Sequence, residues 1–219
     1  MTRIVWDEEA KRKYETGTSR GVLYPKDSNG AYTTGVPWNG LTAVTESPSG
    51  AEETKLFADD IKYLSLRSAE EFGGTIEAYT YPDEFEECDG SKEIATGVTI
   101  GQQARKGFGF CYRTVIGNAA QGESYGYKLH IVYNATASPS QKSYATINDS
   151  PEAITFSWEF STNPTSFGND LKPSATLVID STKIAAAKLS AIEALLYGSE
   201  NSEPSLPTPA EIITIVGGQ

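Results

Sequence analysis

The chain of 219 residues holds one histidine, His130, and any general base or charge relay built on imidazole would have to use it. No Gly-x-Ser-x-Gly elbow, phosphate-cradling glycine loop or cysteine/histidine metal spacing accompanies it. It reads as a surface or lining residue at an alternating position of a strand. The acid pairs Asp59-Asp60, Glu70-Glu71 and Glu86-Glu87 offer the carboxylates a glycosidase needs. Adjacent residues on a strand or helix point apart, so each pair reads as a solvated face. Asp27-Ser28-Asn29-Gly30 opens like a calcium loop, but the later ligands and the closing glutamate are missing, which leaves a plain turn. Cys88 and Cys111 read as buried small hydrophobes in a reducing compartment, with a disulfide between them left open. No catalytic, metal or cofactor residue is assigned, and an enzyme is disfavoured.

Hydrophobic residues make up 38% of the chain and aromatics 11%, enough for a real core. The net charge of −11 removes the counterion-release gain that drives duplex binding, and it disfavours anionic membranes. The first residues are polar with no apolar signal region, and no stretch approaches the ~20 apolar residues of a span. The expectation is a product made and kept in a cytoplasm, without a membrane anchor.

Periodicity gives the elements. Residues 2–16 suggest a short strand and an arm, and 41–45 a strand. Residues 47–53 carry turn formers and no apolar period, predicting a solvated projecting loop from Glu46 to Asp60. From Ile61 a period of two predicts a strand with apolar residues on both faces. After Gly73-Gly74, residues 75–81 read as a second strand. Pro82 and the acids behind it predict one helical turn, stopped at Gly90. Residues 94–100 read as a single strand. Residues 106–116 place Phe108, Phe110 and Tyr112 on one face, answered across a hairpin by Tyr127, Leu129, Ile131 and Tyr133.

Residues 143–147 read as a short strand and Asn148-Asp149-Ser150-Pro151 as a turn. The clearest strand puts Ile154, Phe156, Trp158 and Phe160 inward, with Thr155, Ser157, Glu159 and Ser161 outward. After a loop through Asn169 and a strand over 175–179, Ala185, Leu189, Ile192 and Leu196 recur at helical spacing. Asp180, Ser181 or Thr182 would cap that helix and Gly198 end it. Residues 210–216 should dock as a strand or short helix. The sum is an all-β dominated fold, a β-sandwich or partly closed barrel with one or two short flanking α-helices. It is read as a single domain over 1–219, with an extended N-terminal arm, a long inter-strand loop at 46–60 and a C-terminal arm at 199–219.

Several phrases are long and unusual: ESPSGAE, FADDIKYLSLRSAEEFGGTIEAYTYPDEFEECDG, TGVTIGQQ, FCYRTVIGN, YGYKLHIVYNA, NDSPEAITFSWEFST and a helix ending in LLYG. Through them the chain, over roughly residues 3–216, resembles the major tail tube proteins of long-tailed, non-contractile bacteriophages, a group from phages of Gram-positive bacteria. The resemblance implies a phage tail tube fold whose subunits close into hexameric rings and stack into a tube around a tape-measure protein. Tail terminator and distal tail proteins are the further partners it implies. DNA would pass through without specific binding, and the protein would belong to the virion after synthesis in the bacterial host cytoplasm. It implies no cofactor.

Under that resemblance Glu46, Ser47, Pro48, Ser49, Gly50, Glu52 and Glu53 are candidates for the contact between rings. Asp59, Asp60, Glu77 and Glu93 are candidate lumen-lining acids. The alternatives are a β-sandwich carbohydrate- or receptor-binding module using Tyr79, Tyr81 and Tyr125, and a tube protein of a contractile injection or secretion system.

Overall fold

In the computed structural model, which describes residues 3–147, 149, 152–168 and 171–217, a 3-10 turn at Glu9–Lys11 leads into a long strand, β1 (Lys13–Pro25). β2 (Val36–Trp38) and β3 (Leu41–Glu46) follow. The chain then leaves the body as β4 (Ser49–Gly50) and β5 (Glu53–Ala58), and returns as β6 (Ile61–Arg67), β7 (Glu70–Glu71) and β8 (Gly73–Ala78). A 3-10 turn at Asp83–Phe85 precedes a small hairpin of β9 (Lys92–Ala95) and β10 (Val98–Ile100). Next come β11 (Phe108–Asn118), β12 (Gly122–Ala137), β13 (Phe156–Thr162) and β14 (Thr176–Asp180), then α1 (Ala186–Tyr197) and α2 (Pro209–Gly217).

One eight-stranded antiparallel sheet runs β2-β1-β11-β12-β13-β8-β3, with β14 also on β12. β12 is where it forks. Lys128 to Val132 pair with β14, whereas Ala135 to Ala137 pair with β13. Asn134 sits between them at φ 50°, a left-handed geometry asparagine tolerates better than most residues. Its Oδ1 accepts from Lys26 Nζ at 2.7 Å and from the Tyr32 hydroxyl at 2.9 Å, so the bend is clamped. The fork folds the sheet over on itself until β3 lies beside β1 without pairing to it. The result is mostly β, flanked by two short helices, with the sheet not closed.

Two cores occupy the two faces. The inner one gathers Leu23, Ile76, Phe108, Phe110, Val132 and Phe160 around Trp158. That indole lies 5.2 to 5.6 Å, centroid to centroid, from Phe85, Tyr81, Trp38 and Phe156. The outer core packs Leu129, Ile131 and Tyr133 of β12 under Leu189, Ile192 and Leu196 of α1 and Ile212 of α2. The Tyr24 hydroxyl donates to the Leu196 carbonyl at 2.7 Å, satisfying an orphan acceptor of the last turn. α2 begins with a capping box, in which Thr208 N–H donates to Glu211 Oε2 at 2.7 Å and Glu211 N–H to Thr208 Oγ1 at 3.3 Å.

Several expectations are corrected. β12 does not answer the Phe108 face. The register pairs Cys111 with Ile131 and Arg113 with Leu129, so the apolar rows of β11 and β12 lie on opposite faces of one sheet buried on both sides. Residues 94–100 are not one strand, because Gly97 at φ 76° turns them into a hairpin. Residues 143–147 form no strand, having no neighbour to pair with. The turn placed at Asn148-Asp149-Ser150-Pro151 lies, except for Asp149, outside the described residues, as does Asn169. Ala185 occupies the N-cap of α1 with no side-chain cap, while Asp180 Oδ1 instead accepts from Thr182 in the preceding turn. Asp27 Oδ1 accepts from the backbone N–H groups of Asn29 and Ala31, both at 2.8 Å, which makes that stretch an Asx turn.

Candidate functional site

The segment expected to be a loop from Glu46 to Asp60 is one half of a continuous two-stranded ribbon. A loop was predicted because no residue in 47–53 needs burial, and a ribbon in solvent imposes no apolar period on its sequence. Ser47 N–H donates to the Gly73 carbonyl at 2.8 Å. Ser49 and Gly50 pair with Glu71 and Glu70, and the Glu52 N–H donates to Ser68 Oγ at 3.0 Å. Glu53 opens β5 opposite Arg67, with its carboxylate 2.8 Å from Lys62 Nζ. Asp59 and Asp60 form the tip, at φ 50° and 62°, the two positive angles a type I′ hairpin turn demands.

Every residue from 51 to 71 is exposed. Among them Leu56, Phe57, Ile61, Tyr63, Leu64 and Leu66 are large and apolar. Leu56 faces Leu64 and Thr54 faces Leu66 on one side, and Lys55 with Ser65 and Glu53 with Arg67 occupy the other. Phe57 and Tyr63 continue the second side, so both sides of the ribbon carry apolar residues, and nothing among the described residues covers them.

Glu46 sits at the arm's root. Its carboxylate accepts from the Tyr112 hydroxyl at 2.7 Å and stands 3.5 Å from His130 Nδ1. The imidazole stacks on Tyr112 with ring centroids 4.6 Å apart, and its Nε2 bonds Thr114 Oγ1 at 2.9 Å. The histidine thus joins the arm's root to β11 and β12. Its pKa is held below the ordinary value chiefly because burial penalises the charged form, with Lys128 adding to this and Glu46 and Glu15 opposing it. An imidazole depressed in the folded state binds its proton more readily when unfolded. Its contribution to stability is therefore full above about pH 6.5 and declines as pH falls below that. We expect a lower urea midpoint at about pH 5.5 than at about pH 7.5, and a flatter dependence in His130→Gln. Equal wild-type midpoints at the two pH values would contradict this.

The outward face of β3, β8 and β13 is the second feature. Cross-strand pairing lines up Ala43, Glu77 and Ser157, then Thr45, Thr75 and Glu159. The side chains are short or acidic, and none of the three strands holds a lysine or arginine. Glu159 belongs to this face beside Glu77 and was missing from the candidate acids, although its outward position in the β13 alternation could have found it. The four named acids are not brought together: Asp59 and Asp60 are at the arm's tip, Glu77 on this face, and Glu93 on the β9–β10 hairpin, where it accepts from the Gly97 N–H at 2.9 Å.

Nor do the tyrosines form one platform. Tyr79 is exposed, Tyr81 packs against Phe85, Phe156 and Trp158, and Tyr125 lies under Lys13 Nζ at 4.7 Å. Both cysteines are buried free thiols pushed up to about 12 chiefly by desolvation, and they belong to opposite cores.

No protein-family model matches the chain, and no curated protein matches it. Among solved structures it is similar to the sheath/tube terminator of an extracellular contractile injection system, PVC, in the extended state, at 11% identity over 73% of this chain and 93% of that one, with a TM-score of 0.34. It is also similar to a chain of the PVC sheath–tube complex in the extended state, at 14% identity over 74% of this chain and 88% of that one, with a TM-score of 0.31.

Proposed function

We propose that the chain is the major tail tube subunit of a long-tailed, non-contractile bacteriophage. It would close into hexameric rings that stack around a tape-measure protein and later conduct DNA. The observation that carries this reading is the arm: a long apolar-bearing ribbon, exposed along its whole length, is a surface a soluble protein covers with a partner. The reading is supported further by the cation-free face of β3, β8 and β13. Placed toward a lumen, that face offers DNA no ion pair to stick to and repels phosphate through Glu77 and Glu159. The open edges of the sheet suit head-to-tail pairing between copies. Sedimentation and negative-stain electron microscopy of the purified chain, from micromolar to millimolar concentration, test it. Hollow tubes or stacked six-fold rings are expected. A monomer at every concentration, even with a tape-measure partner added, overturns the reading.

A further inference from the structure

Glu46 is the last residue of β3, and the arm begins at its neighbour, Ser47. One carboxylate oxygen, Oε1, faces two groups at once. It accepts from the Tyr112 hydroxyl at 2.7 Å and lies 3.5 Å from His130 Nδ1, too far for a charge-assisted hydrogen bond. That nitrogen is buried without a hydrogen-bond partner among the described residues, whereas Nε2 is engaged with Thr114 Oγ1 at 2.9 Å. The ring lies flat on Tyr112, 7° from parallel, which fixes the direction of both nitrogens.

The other charges around the ring are already paired. Lys128, on the same strand, pairs with Glu15 of β1. β14 sets Val178 beside His130 and Asp180 beside Lys128, and Asp180 lies 3.3 Å from Lys183. β11 contributes only Tyr112 and Thr114, opposite His130 and Lys128. Glu46 is therefore the carboxylate placed to answer a change of charge on the imidazole.

A neutral imidazole has one N–H and one lone pair, but an imidazolium has two donors. With Nε2 held at Thr114, the second donor of the charged ring points from Nδ1 at Glu46 Oε1. A charge-assisted bond closes to about 2.8 Å, so the carboxylate moves by several tenths of an ångström and leaves the phenol. On β8, Glu46 stands opposite Gly74 and Ser47 is held by the Gly73 carbonyl, so backbone hydrogen bonds alone brace the arm's root.

We infer that His130 is a proton-operated latch on the arm: the charged ring takes Glu46 from Tyr112 and turns the root of the ribbon toward β12. The ribbon is exposed from residue 51 to residue 71, so a small rotation at its root is carried to its tip. Because the ribbon is the proposed stacking element, the direction in which it leaves the body then varies with pH. Burial opposes the charged ring and Glu46 supports it, so the latch closes below the ordinary imidazole range.

Two-dimensional NMR of the dilute full chain tests this between about pH 7.5 and about pH 5, in wild type, Glu46→Gln and His130→Gln. In wild type the amides of Ser47, Gly50 and Glu71 are expected to shift with the same midpoint as the His130 ring protons. In Glu46→Gln the ring is expected to titrate at a lower pH, having lost its supporting charge, with most of the arm shift gone. In His130→Gln the arm amides should stay still. Arm amides that stay still while the wild-type ring titrates overturn the latch, as do arm shifts that survive in His130→Gln. A ring midpoint unchanged in Glu46→Gln, or a wild-type ring that takes no proton above about pH 5, overturns it too. None of these outcomes requires assembly, so the tube reading is judged separately.

Discussion

Excising residues 51–69 and joining Gly50 to Glu70 through Asn-Gly leaves a folded monomer that no longer assembles. The splice point is set by the ladder: Gly50 pairs with Glu70, so a two-residue turn closes the shortened hairpin in register. The body should hardly notice, because none of the removed side chains enters either core. Thermal unfolding is expected to shift by no more than a few degrees, about 1 kcal/mol for a domain of this size. Assembly is a different matter, since the exposed apolar side chains of Leu56, Phe57, Ile61, Tyr63, Leu64 and Leu66 would be gone. Loss of all columns at the highest soluble concentration is the expected result, read by sedimentation. An armless chain that assembles as the wild type does would show that the ribbon is dispensable and that the body alone polymerises.

Trp158→Ala should produce the largest loss of stability of any single substitution in the inner core. Trp158 is 1% exposed and touches four rings, three of them from other elements or turns: Trp38, Tyr81 and Phe85, with Phe156 of its own strand. Truncating a fully packed tryptophan costs about 3–5 kcal/mol, the transfer loss plus the cavity left behind. For a chain of this length that lowers the melting temperature by roughly 10 °C or more. Because Phe85 belongs to the turn before the β9–β10 hairpin, the same cavity should loosen β9 and β10 first, visible as faster amide exchange there than in β11. A shift below about 3 °C would mean that the aromatic cluster collapses freely, contrary to the rigid two-core picture.

The parts of this fold that were legible in sequence are those where burial imposes a period. β13 alternates because one face meets Trp38 and Phe85 while the other meets solvent, and the inward reading holds at Phe156, Trp158 and Phe160 but fails at Ile154, which precedes the strand and is exposed. α1 was legible for the same reason, with Leu189, Ile192 and Leu196 against the sheet and Gly198 at φ 77° ending it. Where both faces are covered, as in β11 and β12, periodicity says that there is a strand but not which row meets which. That is why Tyr127, Leu129, Ile131 and Tyr133 were set opposite the wrong partners. Where neither face is covered the signal fails altogether. The outgoing half of the arm has no burial to record, so Ser47 to Glu53 read as loop, and only the return strand carried enough apolar residues to be seen. The link from Glu46 to His130 joins residues 84 apart in sequence through the fold of a forked sheet, and no local pattern announces it.

The central claim is a subunit whose cation-free sheet face lines a channel and whose arm joins successive rings. A three-dimensional electron-microscopy reconstruction of the polymer tests it most directly. The account predicts a hollow, six-fold column with β3, β8 and β13 of every copy facing the lumen, Glu77 and Glu159 projecting into it, and each arm crossing to the adjoining ring. A solid filament, or a column in which that sheet face turns outward and the helices turn in, would contradict it.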